Sequence, residues 1–144
     1  MIAVDSNLLI YAHRFGNVWN ESAYELMREL SEGMRPWALP YPCVHEFLRN
    51  VTEPRIYEDP TPVDAALQQV IAWASVPSAR LIGESGRHLD LLSTLVTTGR
   101  IRGAMVHDAR IAAICLEHGV SELWTADRDF GRFPSLKTRN PLVG

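Results

Sequence analysis

Short apolar segments at residues 1–4, 37–40, 80–82 and 122–126 alternate along this chain with longer stretches of helical period. That alternation is the strongest constraint on its fold. An apolar run too short for a helix, set between helices, fits a strand buried on both faces, and such strands joined by helical crossovers form a parallel sheet. The expected class is therefore α/β, a central parallel sheet flanked by helices in three layers. Ligands of such sheets sit beyond the carboxyl ends of the strands, so the residues just past each strand are the first place to look for chemistry.

The helical stretches are equally readable. One is expected over Leu8–Ala12, with Asp5 or Ser6 as its cap. A second covers 18–32, where Trp19, Ala23, Leu26 and Leu30 share one face and Glu21, Glu25, Arg28 and Glu32 the other, with Gly33 ending it. From Cys43 to about Thr52, Val44, Phe47, Leu48 and Val51 recur at helical spacing. Further helices are expected at 63–75, 86–98 and 107–118, and a weak last strand at 136–138. Pro54, Pro60 and Pro62 mark residues 54–62 as an exposed loop, and Gly99–Gly103 reads as a turn.

Composition narrows the class further. The 144 residues suit one domain, 1–144, and 47% apolar with 22% charged residues excludes a disordered or collagen-like chain. No apolar run approaches the roughly 20 residues of a membrane helix. Met1 leads into Ile2-Ala3-Val4 and then Asp5, so no secretory leader and a cytoplasmic location are expected. Cys43 and Cys115 lie among apolar neighbours without a CxxC motif and are expected as reduced core thiols. The five histidines show no HExxH spacing and none is assigned to a metal; P-loop, GxGxxG and GxSxG motifs are absent.

The net charge of -3 argues against holding nucleic acid by bulk electrostatics alone. Two divalent cations at an acidic site would reverse its sign. Thirteen of the 14 basic residues are arginine, the residue suited to phosphate, although codon composition gives the same bias.

The acids themselves are placed suggestively. Asp5 follows the first strand directly, and Asp127 and Asp129 follow the strand at 122–126, so in a parallel sheet they emerge at one edge. Each also fits a helix cap or a turn. Asp108 heads the apolar stripe of Ile111, Ala112 and Cys115; an acid there needs a partner, a proton or a cation, or else is a first-turn acid favoured by the helix dipole. Glu46 falls opposite the apolar stripe of its helix and shares a face with Asn50, which fits a solvated face or a water-filled cleft equally. Oxygen-only ligation selects magnesium or manganese.

Four motifs, in this order, resemble those of PIN-domain ribonucleases, most closely the VapC toxins of bacterial toxin–antitoxin pairs: Val4-Asp5-Ser6-Asn7-Leu8-Leu9-Ile10-Tyr11-Ala12, His45-Glu46-Phe47, His107-Asp108-Ala109-Arg110-Ile111-Ala112-Ala113 and Leu123-Trp124-Thr125-Ala126-Asp127-Arg128-Asp129-Phe130. The resemblance implies the PIN-like version of the α/β fold. It implies an acidic site of Asp5, Glu46, Asp108 and Asp127 holding Mg2+ or Mn2+, with Asp129 an outer or alternative ligand. Ser6 and Thr125 would support the site by hydrogen bonding, and Asn7 would steady the first turn.

The implied activity is metal-dependent endoribonuclease cleavage of tRNA, rRNA or mRNA, leaving 5′-phosphate and 3′-hydroxyl ends. Arg110, Arg128 and Arg132 would contact flanking phosphates or serve as ordinary surface charges. The implied partners are RNA, a second copy in a homodimer and an antitoxin covering the acidic cleft and an apolar groove. Trp19, Tyr24 or Phe47 would line that groove or pack in the core. Two other classes stay open from the residues: a catalytically silent interaction module and a DNA-directed nuclease of related fold.

Overall fold

Five parallel strands carry the molecule: β1 (Ile2–Val4), β2 (Trp37–Pro40), β3 (Ala79–Ile82), β4 (Glu122–Trp124) and β5 (Thr138–Arg139), in the lateral order β3-β2-β1-β4-β5. Among the described residues six α-helices cross between or cover them: α1 (Ser6–His13), α2 (Asn20–Glu32), α3 (Tyr41–Val51), α4 (Val63–Ala74), α5 (His88–Gly99) and α6 (Val106–Glu117). The computed structural model describes residues 1–143.

Alternation along these strands divides the apolar residues between two cores. Ala3, Ala38 and Leu123 point to one face, where Leu95 of α5 and Ile111, Ile114 and Cys115 of α6 meet Phe130 and Phe133. Val4, Trp37 and Leu39 point to the other, onto Leu8 and Leu9 of α1, Met27 of α2, Phe47 of α3 and Trp73 of α4. Burial on both faces is what the unbroken apolar runs required. Cys43 and Cys115 are free and buried, as expected.

The boundaries differ where local chemistry intervenes. Helix α3 starts at Tyr41, ahead of the expected Cys43, because Pro42 falls in its first turn, where no amide donor is needed. Helix α1 begins at Ser6, whose amide donates to Asp5 Oδ1 at 2.7 Å. Strand β4 stops at Trp124 instead of Ala126, because the Ala126 amide leaves the sheet to donate to Asn7 Oδ1 at 3.1 Å. Strand β5 begins at Thr138 because Leu136 turns into the core.

On α2, Ala23 and Met27 are buried while Arg28 bridges Glu25 and Glu32 on the outside. Trp19, half-buried, packs with neither core. Among the described residues no helix is long and apolar enough to cross a membrane.

Candidate metal centre

The central strands β1 and β4 end level with each other: Val4 pairs with Trp124, and the Asp5 amide donates to the Trp124 carbonyl at 3.0 Å. The residues that follow the two strands therefore meet beyond the carboxyl edge. Asp5 is buried there. Its Oδ1 accepts from the Ser6 amide and from the Cys43 thiol at 3.5 Å, and its Oδ2 accepts from Thr125 Oγ1 at 2.8 Å and Asn7 Nδ2 at 3.3 Å.

Thr125 uses all of its hydroxyl's capacity. Besides donating to Asp5, it accepts from Asn7 Nδ2 at 3.1 Å and from the Asp127 amide at 2.9 Å. Asn7 in turn accepts from Ala126, so it fastens the start of α1 to the end of β4. Beyond this buried lock the chain tightens into a turn in which Asp127 Oδ1 accepts from the Asp129 amide at 2.8 Å.

Asp108, in the first turn of α6, faces that turn. One carboxylate oxygen each from Asp108, Asp127 and Asp129 lie within 4.8 Å of one another. Burial pushes the Asp108 carboxyl up to about 6; the charges of Asp127, Asp5 and Asp129 add to the rise, and His107 opposes it. Burial also raises Asp5, with Glu46 adding, against the hydrogen bonds from Thr125, Ser6 and Cys43. Like charges gathered in a half-buried place favour a proton or a cation. Hard carboxylate oxygens with no nitrogen or sulfur in the trio match the donor set of Mg2+ or Mn2+.

Glu46 reaches the same edge from α3 but stands outside the trio. Its Oε2 accepts from Ser6 Oγ at 2.5 Å, and its Oε1 meets His107 Nε2. It is half-buried and tethered, so helical period alone gave an incomplete picture of it. Ser6 also reaches Asp5 Oδ1 at 3.4 Å, linking Glu46 to the buried carboxylate. His107, assigned no role from the sequence, is the residue that reasoning missed. Its position next to Asp108 was visible, but its partner lies 61 residues away.

The arginines divide. Arg110 is engaged by Glu84 at 3.1 Å, whereas Arg128 and Arg132 are exposed and form no ion pair among the described residues. Phe47 is fully buried, edge-on to His13 and Trp73, and belongs to the core. Tyr24 stays exposed beside a cleft between α2 and α4 shared with Met27 and Trp73.

A PIN domain is matched over residues 2–136. The chain belongs to the PIN-domain family. It is 34% identical to VapC ribonuclease Mb2897 of Mycobacterium bovis over 100% of this chain and 97% of that protein. Ribonuclease VapC33 of Mycobacterium tuberculosis is 32% identical over 99% of each chain. These full-length similarities make it a VapC-type PIN domain.

Two solved structures share its architecture. The VapC20 toxin of Mycobacterium tuberculosis, described as cleaving the sarcin-ricin loop, has a TM-score of 0.66 at 15% identity, covering 91% of this chain and 93% of that one. FitAcB from Neisseria gonorrhoeae has a TM-score of 0.67 at 18% identity over 100% of both chains. At these identities the likeness concerns the fold of this PIN domain, the parallel sheet flanked by helices.

Proposed function

We propose that this PIN domain is the toxin of a toxin–antitoxin pair and an endoribonuclease that hydrolyses RNA phosphodiester bonds with Mg2+ or Mn2+. The single observation that carries the reading is the convergence of Asp108, Asp127 and Asp129 oxygens within 4.8 Å, beside the buried carboxylate of Asp5. Asp5, Asp108 and Asp127 would hold the metal, with Glu46 completing the acidic wall and Asp129 serving as the alternative to Asp127. When bound, the cation supplies charge neutralisation and Lewis acidity at the phosphate.

The protein's own contribution is position. Ser6, Asn7, Cys43 and Thr125 fix both oxygens of Asp5, so that carboxylate has no freedom to drift. Ser6 does the same for Glu46. Arg128 and Arg132, which form no ion pair among the described residues, hold flanking phosphates; Arg110, already paired with Glu84, is the weakest of the three for that task.

The relatives' name as ribonucleases and the VapC20 description support RNA as substrate. An antitoxin partner is supported by the VapBC2 complex of Rickettsia felis, a similar structure with a TM-score of 0.68. The cleft beside Tyr24, Met27 and Trp73 suits an apolar antitoxin side chain, and a homodimer completes the reading.

The test is cleavage of total RNA by the purified chain with Mg2+, with EDTA, and with Asp5→Asn and Asp108→Asn. Cleavage that EDTA abolishes and either substitution lowers by at least about a hundredfold is expected. Activity indifferent to both substitutions refutes the metal reading. Faster cleavage of single-stranded or flap DNA in parallel reactions overturns RNA as the substrate, and 5′-phosphate ends on the fragments test the chemistry.

A further inference from the structure

A groove of about 560 Å³ opens directly from the acidic edge, between the connection joining α1 to α2 and the β4–β5 edge of the sheet. It shares Thr125 and Asp127 with the candidate metal centre and continues past Trp19, Arg128 and Arg139. We infer that this groove holds the unpaired nucleotide next to the scissile phosphate, its base stacked on Trp19 and its backbone on Arg128 and Arg139. This deepens the ribonuclease reading and rests on it.

Three observations meet here. A tryptophan is among the most favourable side chains to bury, yet Trp19 keeps part of its surface exposed and joins neither core. It is one of the residues that line the groove. Arg128 and Arg139 are exposed on the same groove and neither forms an ion pair among the described residues, although the charge of Arg139 helps to hold the Glu122 carboxyl low; Arg139 lies 5.7 Å from the centre of the Trp124 ring. Aromatic faces beside a basic track are the chemistry that holds single-stranded nucleic acid, because every base offers a face for stacking while the arginines follow the phosphates.

The groove's continuity with Asp127 places such a nucleotide against the reacting phosphodiester. A duplex keeps its bases stacked on one another and out of reach of Trp19, so the geometry selects unpaired RNA. Arg139 and Trp19 thereby join Arg128 as substrate-positioning residues.

The experiment uses the full chain carrying Asp108→Asn, so that RNA binds without being cut, and a fluorescein-labelled single-stranded RNA of twelve nucleotides. Adding Trp19→Ala is expected to weaken binding about tenfold, and Trp19→Phe, which keeps a stacking face, to restore most of it. Arg139→Gln, at an exposed site where folding is not at risk, is expected to weaken binding and lower the slope of log Kd against log salt by about 0.7. A blunt RNA duplex of equal length should compete at least tenfold less well.

Unchanged affinity in both Trp19→Ala and Arg139→Gln overturns the proposal, as does equal weakening by Trp19→Ala and Trp19→Phe. A groove that serves a protein partner gives the first of these results. Cleavage by the otherwise unaltered chain is scored separately: if it cuts RNA while the groove substitutions leave binding intact, only the groove assignment fails. If it neither binds nor cuts RNA, the ribonuclease reading fails with it.

Discussion

At the scale of single residues, the site is organised by one hydroxyl. Thr125 is buried and serves Asp5, Asn7 and Asp127 together. Thr125→Val keeps the shape and deletes those bonds, stranding buried polar groups at about 1–3 kcal/mol. Urea unfolding should register that loss together with a fall in RNA cleavage, and Thr125→Ser should recover both. Asp108 gives a second prediction. Its carboxyl is raised from 3.8 to about 6, so the folded chain without metal holds that proton more tightly than the unfolded chain does. The resulting stability is present below pH 3.8 and lost as pH rises through about 6. A cation competes with the proton and binds the ionised form. Millimolar Mg2+ should therefore raise Tm more at pH 7.5 than at pH 5; an equal rise at both would separate Mg2+ from Asp108. The sequence displayed Asp5, Asp108 and Asp127 because strand ends and a helix stripe are local patterns. It hid the tether of Glu46, whose partners Ser6 and His107 lie 40 and 61 residues away, a distance that no local period encodes.

At the scale of elements, helix α6 is held at both ends, and its far end has its own clamp. Glu117 accepts from the Ser85 amide and hydroxyl, both at 2.6 Å, and from His88 Nδ1 at 2.6 Å, tying the last turn of α6 to the start of α5. Burial pushes this carboxyl up, but the bonds from Ser85 and His88 outweigh it and hold it below the usual value. A lowered folded-state pKa means the clamp contributes fully above pH 4.5 and fades as pH falls below it. Acid titration of the native chain should show stability dropping below about pH 4.5, and Glu117→Gln should flatten that part of the profile. The helices themselves were legible from period and from punctuation by proline and glycine. Their exact starts were not, since Pro42 inside the first turn of α3 reads in sequence as a stop. Trp19 stands at the cap of α2 in helical backbone geometry, its carbonyl accepting from the Ala23 amide at 2.9 Å, and helical period alone did not show that it also borders a groove.

At the scale of the whole molecule, the alternation of short apolar runs with helices announced the layers, while the lateral order β3-β2-β1-β4-β5 depends on pairings that local pattern does not carry. That order puts β1 and β4 side by side at the centre and so creates the acidic edge. It also makes the two cores mechanically one. The strands are two to four residues long and give neighbouring residues to opposite faces, Ala3 to one core and Val4 to the other. A face cannot loosen without unpairing the strands that serve the other face. The tryptophans provide a reporter, since Trp37 and Trp73 lie within the core beneath α1–α4 and Trp124 packs against it. Leu123 lies on the opposite side. Leu123→Ala should cost about 2–5 kcal/mol. The shift in urea midpoint should be the same by tryptophan fluorescence and by far-ultraviolet circular dichroism, because one cooperative transition melts both cores. Fluorescence unmoved by Leu123→Ala while dichroism shifts would mean that the two faces unfold independently, and that the sheet does not transmit packing on one side to the acids at its edge.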